Sequence, residues 1–277
     1  PIQSDAKFFI QTLLENIKNT DLPDISEWLK YCNRIKKAYP IVLPEYKKQK
    51  KLVNSYYFTD VLSDLLRENE IIVTANGTAF TGTLQSIKLK KGQRLISNIG
   101  CASMGYDLPA AIGACIANNK KRVICISGDG SIQMNLQELQ TIVNYKLPIK
   151  IFILNNEGYL AIRNTQDGYF AGRYYGADKA HGVGLPDMVK IGRAYGIKSL
   201  RIKNQRNLKE KLQKVLDTPG PVICDIMMPP KQPLIPKVTS EVRPDGRVIS
   251  KPLEDMFPFL EREEFYKNMI IEPLKED

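Results

Sequence analysis

Apolar residues recur at helical spacing in the opening stretch from Asp5 to Tyr39: Phe8, Phe9, Leu13, Leu14 and Ile17, then Ile25, Trp28 and Leu29. The pattern predicts two amphipathic helices, parted at Leu22-Pro23 because proline cannot continue the first. Pro40, Pro44 and the lysine-rich run Lys47 to Lys51 interrupt the periodicity and predict a linker reaching about Asn54. From Tyr56 the rhythm changes. FTDVLSDLLREN reads as a helix and IIVT as a buried strand, and this alternation continues to about residue 228.

Five short apolar runs are candidate strands: Ile71 to Thr74, Val123 to Ser127, Ile149 to Leu154, Ile197 to Ile202 and Val222 to Met227. They alternate little between apolar and polar, as expected of strands buried on both faces. Between them lie helical patterns such as DLPAAIGACIANN, NLQELQTIVNYK, PDMVKIGRAYG and NLKEKLQKVLD. The order predicts an α/β fold, a doubly wound and mostly parallel sheet with helices on both faces. The expected organisation is a short helical N-terminal appendage (1–45), a linker (46–55), the α/β domain (56–228) and an irregular C-terminal tail (229–277) rich in proline and charge.

Composition changes this picture little. Of 277 residues, 43% are hydrophobic and 25% charged, which fits an ordinary globular chain and argues against extended disorder. No run of about 18 apolar residues is present to predict a membrane-spanning helix, and the first twenty residues lack a signal-peptide pattern. The expected setting is cytoplasmic, with no membrane contact. The net charge of +10 raises a nucleic-acid reading, but the basic residues are scattered and one short cluster sits in the linker. No nucleic-acid partner is expected; an anionic small ligand would use the same positive field. Five cysteines without a CxxC pair and a single histidine, His181, leave little material for zinc or a disulfide framework. His181 reads as a loop residue.

Open parallel sheets bind ligands beyond the carboxyl ends of their strands. After RVICIS comes Gly128-Asp129-Gly130-Ser131, and after KIFIL comes Asn155-Asn156-Glu157-Gly158. One strand–helix–strand crossover joins the two ends, so they can be neighbours in space. Asp129 offers a carboxylate, Asn156 an amide oxygen and the following loop a backbone carbonyl, all hard oxygen donors suited to Mg2+. Gly128 and Gly130 allow close approach of an anion at the start of the helix expected next. Gly-Asp-Gly alone is common turn chemistry; the pairing with Asn156, about 27 residues after Asp129, is what gives the motif weight.

This text, GDGSIQMNLQELQTIVNYKLPIKIFILNNEGYLAIR, resembles the C-terminal thiamine diphosphate-binding domain of the acetolactate synthase family, from about Tyr56 to Met228. The resemblance implies that Asp129, Asn156 and the Gly158 carbonyl bind Mg2+, with Ser131 and the Gly130 amide on the diphosphate. SNIGCASMGYDLPAAIGA resembles the segment that holds the middle of the cofactor. There Met104 matches the residue wedged between its rings, and Ala102 the residue whose carbonyl accepts from the pyrimidine amino group. Asn76-Gly77-Thr78-Ala79 falls where the family has a loop reaching the diphosphate and reaction centre. Thr78-Ala79 replaces the family's usual Gln-His, which points toward an acceptor other than a second pyruvate. Tyr159 and Arg163 read as a surface helix, with lining of a substrate channel as the other reading.

The resemblance further implies a transferase that decarboxylates a 2-oxo acid, pyruvate being the expected donor, and passes the acyl-anion equivalent to a carbonyl acceptor. A thiamine diphosphate-dependent decarboxylase and a non-catalytic nucleotide- or partner-binding module are the alternatives. In the family, a glutamate on a separate pyrimidine-binding domain starts the chemistry. That domain is expected on the same longer chain or on another, so the sequence reads as a part of a longer enzyme or as one subunit of a split one. No catalytic residue is expected in this chain, which should be inactive alone. Its first residues resemble the end of the family's middle domain, where a FAD site would mostly lie. Assembly as a homo-oligomer or split heteromer is the expectation.

Overall fold

The computed structural model describes residues 2–18, 20–243 and 245–273. Two compact units divide the chain, Pro1–Pro40 and Ile41–Asp277. The first holds helices α1 (Ala6–Lys18) and α2 (Ser26–Ala38). Asp5 caps the first, its Oδ1 accepting from the amides of Lys7 and Phe8 at 3.0 and 3.2 Å. Neither helix buries a residue; Phe8, Leu14, Trp28 and Leu29 remain exposed.

The second unit contains six parallel strands: β1 (Ile71–Thr74), β2 (Arg94–Ile96), β3 (Val123–Gly128), β4 (Ile149–Asn155), β5 (Lys198–Ile202) and β6 (Val222–Met227). Their order is β2-β1-β3-β4-β6-β5. Helices α3 (Pro44–Lys48), α4 (Ser55–Leu65), α5 (Thr78–Ser86), α6 (Asp107–Ala117), α7 (Glu138–Asn144), α8 (Leu160–Tyr169), α9 (Met188–Ala194) and α10 (Leu208–Asp217) accompany the sheet. This is the doubly wound α/β architecture that the sequence predicts.

The pleat explains why the strands read as continuous apolar runs. Along β3, Ile124 and Ile126 enter a core with Phe58 and Leu62 of α4 and Leu212 and Val215 of α10. Their neighbours Val123 and Cys125 enter the opposite core with Leu108 and Ala111 of α6 and Leu139 and Ile142 of α7. Successive side chains point to opposite faces, and both faces are covered, so neither needs polar residues.

Several features depart from the sequence reading, the first being helix α3 (Pro44–Lys48) within the run expected as a linker. β2 is a short strand pairing beside β1, from Ile71 opposite Arg94 to Val73 opposite Ile96, where no strand was expected. Thr78 and Ala79, read as loop, form the first turn of α5. GDGS does not lead straight into an α-helix: Ser131–Asn135 is a 3-10 turn, and α7 begins only at Glu138. In the tail, the antiparallel pair β7 (Ser240–Val242) and β8 (Val248–Ser250) and helix α11 (Arg262–Asn268) interrupt otherwise irregular chain. The tail is tied to the domain early. Gln232 accepts from the Ser55 amide at 2.9 Å, and the Tyr56 hydroxyl accepts from the Ile235 amide at 2.9 Å.

Candidate cofactor site

The chain runs from β1 outward to β2, then returns to place β3 on the other side of β1. The order reverses there, and a crevice opens where loops leave the strand ends in opposite directions. A cavity of about 170 Å3 lies at this point, lined by Asn76–Ala79 after β1, Gly128–Ser131 after β3, and Asn156 with Gly158–Ile162 after β4. Met104 lines it too. All the residues proposed from sequence for the cofactor except Ala102 therefore converge on one cavity. Two larger cavities lie elsewhere, one beside α10 and one beside the ends of β4 and β5.

Asp129 is buried at the end of β3, with Oδ1 accepting from the Gly130 amide at 2.9 Å and Oδ2 from the Gly158 amide at 3.0 Å. Burial pushes its pKa up to about 6, against the pull of those two amides. Asn156 is buried after β4, its side-chain oxygen 3.3 Å from Arg163 Nη2. Among the described residues, no group of three or more His, Cys, Asp or Glu is placed to hold a metal ion. A cation here would instead meet one carboxylate, one amide oxygen and one backbone carbonyl. That donor set is hard and incomplete, leaving positions for phosphate oxygens and water, as Mg2+ requires.

The glycines are there for clearance. A Cβ on Gly130 would stand 2.2 Å from Cε1 of Tyr159. Gly158 has φ +144°, and a Cβ there would stand 2.3 Å from the Ala177 carbonyl oxygen. Across the cavity, Gly77 (φ +57°) precedes α5 without a side-chain cap, so the helix start at the lining residues Thr78 and Ala79 is uncapped. The buried Thr78 hydroxyl has no hydrogen-bond partner. A buried hydroxyl without a partner and a helix N-terminus without a cap both suit an anion. The residues present therefore fit a Mg2+-diphosphate group.

Ser131 accepts from the Gly105 amide at 3.0 Å and donates to Asp107 at 3.4 Å. The Asp107 carboxyl is fully buried, and burial raises its pKa. Sequence reading passed over it because an Asp at a helix start looks like an ordinary first-turn acid. Ala102 is off the lining, at φ +48°, with its carbonyl accepting from Asn76 Nδ2 at 3.1 Å. His181 also lies off the cavity, in a 3-10 turn where Nδ1 is 2.6 Å from Asp178.

Arg163 corrects the surface reading. It is 2% exposed, beneath the loop rather than on the protein surface. Tyr159 does line the cavity. The first Asn of the pair has its own support: Asn155 Nδ2 donates to Asp225 at 3.0 Å, and Asp225 accepts from Arg201 Nε at 2.7 Å.

Residues 76–226 match the family described as thiamine pyrophosphate enzyme, C-terminal TPP binding domain. The chain belongs to that family. It is similar to the acetolactate synthase large subunit of Cyanidium caldarium, 36% identical over 243 residues. That alignment covers 86% of this chain and 40% of the relative. Similarity to acetolactate synthase 3, chloroplastic, of Brassica napus is 33% over 248 residues, covering 85% of this chain and 37% of the relative. Acetolactate synthase 1, chloroplastic, of Zea mays is 30% identical over 246 residues. This TPP-binding domain of the acetolactate synthase kind thus spans about 40% of the length of the first of these relatives.

Proposed function

We propose that this chain is the part of an acetolactate synthase-like carboligase that binds Mg2+ and thiamine diphosphate. The observation that carries the reading is the meeting of Asp129, Asn156 and Gly158 with the Thr78 end of α5 in one cavity at the sheet's switch point. Asp129, Asn156 and the Gly158 carbonyl hold the cation. Gly130, Ser131 and Thr78 line the part of the cavity assigned to the diphosphate, which would share the Gly130 amide with Asp129 Oδ1. Met104, half exposed on the lining, supports the middle of the cofactor, and the Ala102 carbonyl, off the lining and bonded to Asn76 Nδ2, is assigned to the pyrimidine amino group. When bound, thiamine diphosphate supplies the carbon nucleophile and the electron sink for decarboxylating a 2-oxo acid, here pyruvate by inference from the relatives.

What the chain contributes is binding and orientation. The cavity is smaller than the roughly 300–1,000 Å3 of a complete small-molecule site, so the chain forms one wall of a larger one. Among the described residues Asp129 is the only carboxylate on its lining, and on this reading it is committed to the cation. A glutamate from a pyrimidine-binding domain, on the same longer polypeptide or a partner subunit, completes the site and moves the protons. On this reading the chain binds cofactor and does not turn over substrate by itself.

Calorimetric titration of thiamine diphosphate tests this, with Mg2+ and with chelator, on the chain and on Asp129→Ala. The expected result is saturable binding that needs Mg2+ and is lost in Asp129→Ala. Binding that ignores both the chelator and the substitution would overturn the cation assignment. Turnover of pyruvate by the isolated chain would overturn the need for a second domain.

A further inference from the structure

Arg163 enters α8 one turn after the loop that follows β4, and folds back under that loop. Its Nη2 donates to the Asn156 backbone carbonyl at 2.9 Å, to the Asn156 side-chain oxygen at 3.3 Å, and to the Pro230 carbonyl at 2.7 Å. Nη1 reaches the Glu157 carbonyl at 3.4 Å and stands 3.9 Å from Asp178 Oδ2. Nε is buried without a partner. A guanidinium has donors and no acceptor, in a fixed plane. Most of this one's hydrogen bonds therefore go to carbonyl oxygens of a single loop and the start of the tail.

The consequence concerns Asn156. An amide side chain has two ends of nearly equal size, one an acceptor and one a donor, and only the oxygen can bind a cation. A donor-only neighbour excludes the NH2 end from its side and so selects one of the two orientations. Because the same nitrogen also holds the Asn156 backbone carbonyl, the side chain is fixed relative to its own main chain. The bond to the Pro230 carbonyl links this arrangement to the start of the tail.

We propose that Arg163 is the positioning residue of the cation site, setting which atom of the Asn156 amide meets the cation and joining that choice to the anchored tail. The assignment rests on the cation reading given above. It does not require Arg163 to touch cofactor or substrate. Supports of this kind around metal ligands govern affinity by about 10- to 100-fold when removed.

A carboxylate has no wrong end, and this supplies the test. Mg2+ affinity is measured by calorimetry on the full chain with thiamine diphosphate saturating. Arg163→Lys should weaken Mg2+ by about 10-fold. The same substitution in an Asn156→Asp background should change it by less than about twofold, since either oxygen of Asp serves. A loss of equal size in both backgrounds, or no loss in the first, overturns the proposal. Arg163→Gln is run in parallel, and circular dichroism reports folding. If both Arg163 variants fail to fold, the residue is a scaffold element and the proposal falls. An unaltered chain that binds thiamine diphosphate but takes up no Mg2+ overturns the cation site itself, a different failure from the other two.

Discussion

Asp129 Oδ2 accepts the amide hydrogen of Gly158 at 3.0 Å, tying the ends of β3 and β4 together at the floor of the cavity. The bond can form because Gly158 takes a backbone conformation that L side chains rarely adopt, φ +144°. Gly158→Ala should therefore lose about 1–3 kcal/mol from the backbone alone. The Ala177 carbonyl, 2.3 Å from the added carbon, adds to that. A fall in the urea midpoint shows it, and an unchanged midpoint contradicts it.

Gly130 is tight for a different reason. Its φ is −81°, open to any residue, and the obstacle is the ring of Tyr159. Gly130→Ala should cost about 1–3 kcal/mol by overpacking. In a Tyr159→Ala background the same change should cost under about 0.5 kcal/mol, because the obstruction is gone. Chemical denaturation of the four proteins decides the matter.

Thr78 separates stability from binding. Its hydroxyl is buried and unpartnered, so removing it relieves the chain of an unsatisfied polar group. Thr78→Val should leave the melting temperature of the cofactor-free chain unchanged or higher. Affinity for thiamine diphosphate with Mg2+ should fall about 5- to 10-fold, the value of one hydrogen bond. A lower melting temperature with unchanged affinity would reverse both expectations.

Lys150 gives a pH dependence far from the site. It is buried on β4, with its ammonium donating to the carbonyls of Thr218 and Gly220. Burial, and then the charges of Arg122 and Lys198, push its pKa down to about 8. The unfolded chain keeps a value near 10.4, so between these two pH values it binds more protons than the folded chain. Stability from this group is therefore fully present above about 10.4 and lost as pH falls to 8. Relative to Lys150→Met, the unaltered chain should gain on the order of 1–3 kcal/mol between pH 8 and 10. Urea midpoints of the pair across that range check the sign.

Much of this architecture is legible in the sequence because it depends on local pattern. β3 and β4 announce themselves as apolar runs, and the turns that follow them carry the Asp129 and Asn156 motif. β2 escaped notice because RLI is too short to show a pattern; its pairing with β1 defines it. α5 was hidden by TAFTGTLQS, in which glycine and three threonines have weak helix propensity. The position of β6 between β4 and β5 is a long-range choice with no local mark. Arg163 is the clearest case. Arginine at a helical position reads as solvent-facing, and only the fold brings the carbonyls of Asn156, Glu157 and Pro230 around it.

Six consecutive residue pairs, Val123 with Ile149 through Gly128 with Leu154, lock β3 to β4 immediately behind Asp129 and Asn156. Both halves of the proposed cation site stand on the innermost strands of the sheet. Amide hydrogen exchange should register this: the Gly158 proton, held by Asp129, should exchange only on the timescale of global opening, as the central strands do. Heat should then abolish the cavity and unfold the domain at the same temperature, with no intermediate that keeps the core and has lost the pairing of Asp129 with Gly158.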